Sequence, residues 1–208
     1  MGKLLTTGLT SLLLLIALLF IGITVASVIT GQITENPSHQ DFEQMTEKTI
    51  DEISSYILIK DIKGKFSEIN GEQKIEKIAL WLTPLVTQEI DISKLTIQLN
   101  DGKTVNFLTY DGNSVNLGSN SLFNHPIWDK INGINFGFVT LVDIDKSLIN
   151  YETFNDCSDN AYLIFRLPDL MTLSKNEKII VTLFPSTGIT RTIELKAPLP
   201  INPIVSFE

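Results

Sequence analysis

From Leu4 to Thr34, thirty-one consecutive residues carry no charge, and Leu12 to Ile21 within them is almost unbroken Leu, Ile and Phe. Such a run does not stay in water: it lies in lipid, or it packs against copies of itself. A membrane-spanning helix needs about 20 apolar residues. As a helix at 1.5 Å per residue, the run would extend about 46 Å, more than a hydrocarbon core requires. Gly22, Ala26 and Thr30 place small groups at i, i+4 and i+8, on one helical face where another helix can come close. A secretory signal peptide fits poorly, because its apolar region is shorter and Val25-Ala26-Ser27 is a weak cleavage site. An anchor helix and a helix within a self-associating bundle are the two readings this leaves.

Asn36-Pro37-Ser38 should break or kink that helix, since proline lacks an N–H and disfavours helix at the residue before it. Ser38 is a plausible cap for a second helix running to about Ile59, with Phe42, Met45, Ile53, Tyr56 and Ile57 on one side and Asp41, Glu43, Glu47, Lys48, Asp51 and Glu52 on the other. Gly64 and Asn70-Gly71 then punctuate a linker. Alternating runs follow at Ile78 to Leu82, Leu95 to Leu99 and Val105 to Thr109, the last two separated by Asn100-Asp101-Gly102, a hairpin signal. Asp111 to Asn135 is polar and rich in Asn and reads as loop. Further strands are expected at Phe136–Val142, Tyr162–Leu167, Ile179–Phe184 and Thr192–Leu195, before a proline-framed tail ending in Ile204-Val205-Ser206-Phe207. The expected class is therefore α+β: a long N-terminal hydrophobic helix over residues 1–60, a linker over 61–74, and an antiparallel β-sandwich over 75–208.

The 208 residues carry a net charge of −8, which argues against nucleic acid as a partner. The single cysteine, Cys157, excludes an intrachain disulfide, and with His39 and His125 it is poor material for a zinc site. There is no Gly-rich phosphate loop, no His-Glu-x-x-His and no Gly-x-Ser-x-Gly, so no catalytic residue and no resident cofactor is expected. Asp143 and Asp145, facing Ser147, are hard oxygen donors of the kind that hold Ca²⁺, as are Asn155, Asp156 and Asp159. Each set lacks the glycine and the distal glutamate of a full calcium loop, and a plain turn is the simpler reading of both. Trp81 and Trp128 read as core or interface aromatics.

The first segment, Gly8-Leu9-Thr10-Ser11-Leu12-Leu13 through Ile16-Ala17-Leu18 to Ala26-Ser27-Val28-Ile29, resembles the N-terminal helix of archaeal flagellins, the archaellins. The resemblance continues in order along the chain. Ile75 to Pro84 is similar to that family's first strand, Glu89-Ile90-Asp91-Ile92-Ser93-Lys94 to its Pro-Ile-Asp-Leu-Ser turn, and Phe136 to Asp145 to its Phe-Gly strand ending in acids. Glu177 to Pro185 with Ile193 to Pro198 is similar to its C-terminal hairpin.

The resemblance implies a subunit of the archaellum filament: a structural, non-enzymatic, type IV pilin-like protein that polymerises outside the cell. Its apolar helices would bundle into the filament core and its Ig-like β domains would form the outer wall. Leu12, Leu15, Ile16, Leu19, Gly22, Ile23 and Ala26 are the residues expected to pack in that core. The implied partners are other copies of the chain or other archaellins, the membrane before assembly, an assembly platform and a leader peptidase. Gly2 could close a short leader, and the absence of an Asn-x-Ser/Thr sequon predicts no N-glycan of that kind. Two other readings are an adhesive pilin and a membrane-anchored archaellum stator protein with a β-sandwich.

Overall fold

The computed structural model describes residues 56–87, 89–186 and 189–207. The charge-free run, the break at Pro37 and the packing residues from Leu12 to Ala26 lie outside these. Eleven strands form within the described residues: β1 Ile57–Ile69, β2 Glu72–Pro84, β3 Ile90–Asp91, β4 Thr96–Asn100, β5 Val105–Asn116, β6 Asn135–Val142, β7 Thr153–Phe154, β8 Asn160–Arg166, β9 Lys178–Phe184, β10 Arg191–Lys196 and β11 Ile204–Ser206. Helix among the described residues amounts to α1, Ser147–Asn150, and four short 3-10 turns.

The α+β class expected from the sequence is thus corrected: the described residues are a β protein. The second helix does not reach Ile59, and residues 61–74 are not a linker. Ile57 opens β1, which pairs antiparallel with β2 along almost its whole length, from Ile57 opposite Pro84 to Ile69 opposite Glu72. Asn70 and Gly71, both with positive φ, form the two-residue turn between them.

Nine strands make one sheet in the order β10-β9-β4-β5-β6-β8-β2-β1-β11, and β3 and β7 make a separate ribbon. The sandwich was expected to be antiparallel throughout, but β5 and β6 run parallel. The segment expected to be loop, Asp111 to Asn135, begins as the second half of β5. That strand turns a corner. Thr96 to Asn100 pair with its first half, β6 pairs with its second half, and the register shifts between Tyr110 and Ser114. Gly137 on β6 lets the corner close, because a Cβ there would stand 2.6 Å from the Asn113 carbonyl oxygen.

Beyond the corner the sheet doubles back around one core. Ile97, Leu99 and Val181 of β4 and β9 share a buried cluster with Ile78, Leu80, Phe138 and Leu163 of β2, β6 and β8. A second cluster covers the opposite face of the same central strands, where Phe123, Ile127 and Trp128 pack on Ala79, Val139 and Tyr162. Burial on both faces explains why β6 and β8 read as continuous apolar runs rather than alternating ones.

Candidate functional site

β6 and β8 are antiparallel neighbours with Val142 opposite Asn160. That register brings the loop after β6 against the loop before β8. The two acidic sets of the sequence, Asp143 with Asp145 and Asn155 with Asp156 and Asp159, therefore meet at one end of the sheet. Carboxylate oxygens of Asp143, Asp145 and Asp159 all lie within 4.8 Å of one another. Asp145 and Asp159 border a pocket of about 270 Å³ that Ile144, Asn155, Asp156 and Ser158 also line.

The loops are held by their own backbone. Asp159, 1% exposed, accepts hydrogen bonds at Oδ2 from the N–H groups of Asn155 and Asp156, each at 3.1 Å. Asp145 accepts from the Ser147 N–H at 3.0 Å and from the Asn155 side-chain amide at 2.6 Å. The Ser147 hydroxyl donates to Asn155 Oδ1 at 3.0 Å. Lys146 and Glu152 both hold positive φ, an arrangement of non-glycine backbone that costs free energy and clusters at functional sites.

Electrostatically the acids divide. Burial raises the Asp143 and Asp159 carboxyls above the ordinary range. Hydrogen bonds to Asn155 and Ser147 lower Asp145, and those to Ser158 lower Asp156. Asp143 Oδ2 is buried and has no hydrogen-bond partner. An orphaned carboxylate oxygen beside two more acids lacks a positive charge, and a hard divalent cation such as Ca²⁺ supplies one through oxygen donors alone. The donor set fits such an ion, a fit that neither acidic set had in isolation.

Elsewhere the two tryptophans singled out from the sequence are structural. Trp128 is buried and donates its indole N–H to the Leu122 carbonyl at 2.8 Å, while Trp81, half-buried, packs on the outer cluster. Cys157 is exposed in the loop beside Asp156. One feature had no signal in the chain order: Lys65, Lys77 and Arg166 stand directly opposite one another on β1, β2 and β8.

No family model matches the chain. Flagellin B5 of Pyrococcus abyssi is 23% identical over 207 residues, covering 92% of this chain and 92% of that protein. Flagellin B3 of Methanocaldococcus jannaschii is 28% identical over 199 residues, covering 92% of this chain and 89% of that protein. In fold, the crystal structure of archaeal flagellin FlaB1 from Methanocaldococcus jannaschii is similar with a TM-score of 0.64 at 19% identity, over 73% of this chain and 95% of that one.

Proposed function

We infer that this chain is an archaellin, a structural subunit of the archaellum filament. The observation that carries the reading is the extent of the likeness: two archaeal flagellins align with 92% of the chain, a stretch too long to omit the whole charge-free run. The similar fold of a third flagellin supports the same reading for the β unit.

The polymer stands outside the cell, and the run from Leu4 to Thr34 holds it together. Leu12, Leu15, Ile16, Leu19, Gly22, Ile23 and Ala26 are its contact residues. Before assembly the segment lies in the membrane, where a leader peptidase trims the chain and an assembly platform withdraws it. Lipid and a packed apolar core are both dry, so the transfer need not expose the segment to water. The pattern of a dry polymerising segment joined to a water-facing β unit accounts for the contrast between the first 34 residues and the rest. The β unit, with its own buried clusters, needs no second copy to fold.

Removing residues 1–37 tests this division. The shortened chain should be a folded, soluble monomer by sedimentation and circular dichroism, while the full chain assembles into long polymers. A shortened chain that still polymerises would move the polymer contact out of the charge-free run.

A further inference from the structure

The two ends of the central strands differ in chemistry. β6 spans eight residues, about 26 Å at roughly 3.3 Å each. At its Val142 end stands the acidic pocket. Asp143, Asp145, Asp156 and Asp159 stand there with Lys146, so this end stays negative even with a divalent cation held in it. One large apolar side chain stands there: Ile144, which lines the pocket, is 82% exposed.

At the Asn135 end lies an open groove of about 870 Å³ with Trp128 and Ile131 in its lining. Ile134 and Leu170 line it too, and they are 67% and 89% exposed. Beside it runs the row of Lys65, Lys77 and Arg166 on three adjacent strands. Like charges placed directly opposite across strands are destabilising. Within the fold the row is only partly relieved. Arg166 pairs with Glu76, the Lys77 ammonium lies 5.0 Å from the centre of the Trp128 ring, and Lys65 donates to Asn124 Oδ1 at 3.2 Å. Among the described residues Lys65 and Lys77 have no carboxylate partner. Burial, with Arg166 and Lys65 nearby, pulls the Lys77 ammonium below its ordinary range, and Glu76 and Asp129 offset this only in part. Asp129 and Asp169 also line the groove, so attraction for an anion comes from the row and not from the groove as a whole.

We propose that the groove end of one copy receives the acidic end of the next, with Ile144 seated against Ile134 and Leu170 and the acidic loops facing the row of three cations. The proposal rests on the filament reading. The occupant is a second copy because this chain carries the complement itself: a negative end with an apolar knob opposite a positive row with an apolar groove. A contact between two different surfaces of one subunit need not close on itself, so it is compatible with the open filament that the charge-free run holds together.

Cys157 is the chain's single thiol and stands at the acidic end, which makes the contact directly readable. In the full chain, Leu170→Cys places a second thiol at the groove. Filaments of this variant, treated with a short bifunctional thiol cross-linker, should give a ladder of dimers, trimers and longer oligomers on a denaturing gel. Wild-type filaments should give none. Adding Lys65→Glu and Lys77→Glu should cut the ladder several-fold. Filaments of Leu170→Cys and of Ile134→Cys that yield no ladder would overturn the end-to-end contact and leave the filament reading standing. A ladder of full yield despite the two glutamates would overturn the part given to the cation row. If both cysteine variants stay folded but lose assembly, the groove is part of the contact. A wild-type chain that forms no filament would refute the filament reading itself.

Discussion

Asp143 shows how much one side chain can decide. Its Oδ2 atom is buried without a partner, and burial holds its carboxyl and that of Asp159 above the ordinary 3.8. In both cases the folded pKa exceeds the unfolded one, so the charged form opposes folding. That cost is fully present above the folded pKa and is relieved as pH falls through it. Asp145 and Asp156 are held below 3.8, chiefly by hydrogen bonds from Asn155 and Ser158, so what they contribute is lost as pH falls through their lower folded values. In chelator, stability should therefore rise on mild acidification and fall again in stronger acid. Adding Ca²⁺ at neutral pH should raise the melting temperature by several degrees, and Asp143→Asn should abolish that gain while matching or exceeding the wild type in chelator. Identical melting curves with Ca²⁺ and with chelator would remove the cation from the account. The sequence offered the two acidic sets separately. It did not show that they share one pocket, because a register between strands and not a spacing along the chain joins them.

Among the elements, the strands the sequence marked clearly are those whose alternation is intact. The β4–β5 hairpin was readable at Asn100-Asp101-Gly102, where the Asp101 carboxylate accepts from the Lys103 and Thr104 N–H groups at 2.8 and 2.7 Å. β1 was hidden by its own irregularities. Register shifts between Ile59 and Asp61 and between Lys65 and Phe66 break its alternation, and the helical spacing up to Ile57 then extends over residues that pair as strand. The second half of β5 was hidden by polarity, since Asp111-Gly112-Asn113 forms the corner rather than a loop. At the far edge, the C-terminal tail is secured by Phe207. Its N–H donates to the Ile62 carbonyl, and its ring lies where a Cβ on Gly64 would come within 2.8 Å. Phe207→Ala should cost about 3 kcal/mol in chemical denaturation, at the low end for a buried phenylalanine because the site is at an edge. A loss below about 0.5 kcal/mol, the range of ordinary surface substitutions, would mean that β11 adds no stability.

At the scale of the molecule, the ordered resemblance to archaellins was legible in the sequence, and the charge-free run with it. The two unlike ends of the sheet were not. Lys65, Lys77 and Arg166 are scattered along the chain and form a row only after three strands pair. The polymer itself is predicted to depend on small residues in the charge-free run. Gly22→Leu adds bulk at a proposed subunit contact, and it should shorten or abolish filaments while leaving the β unit folded. Filaments of normal length from that variant would take Gly22 out of the contact. The central claim is tested most directly by shearing filaments from cells that express the chain, imaging them by electron microscopy and weighing their subunit by intact-mass spectrometry. The account predicts long polymers whose subunit mass matches this sequence, less any leader. Recovery of the chain only in detergent-extracted membranes, with no copy in the filaments, would contradict it.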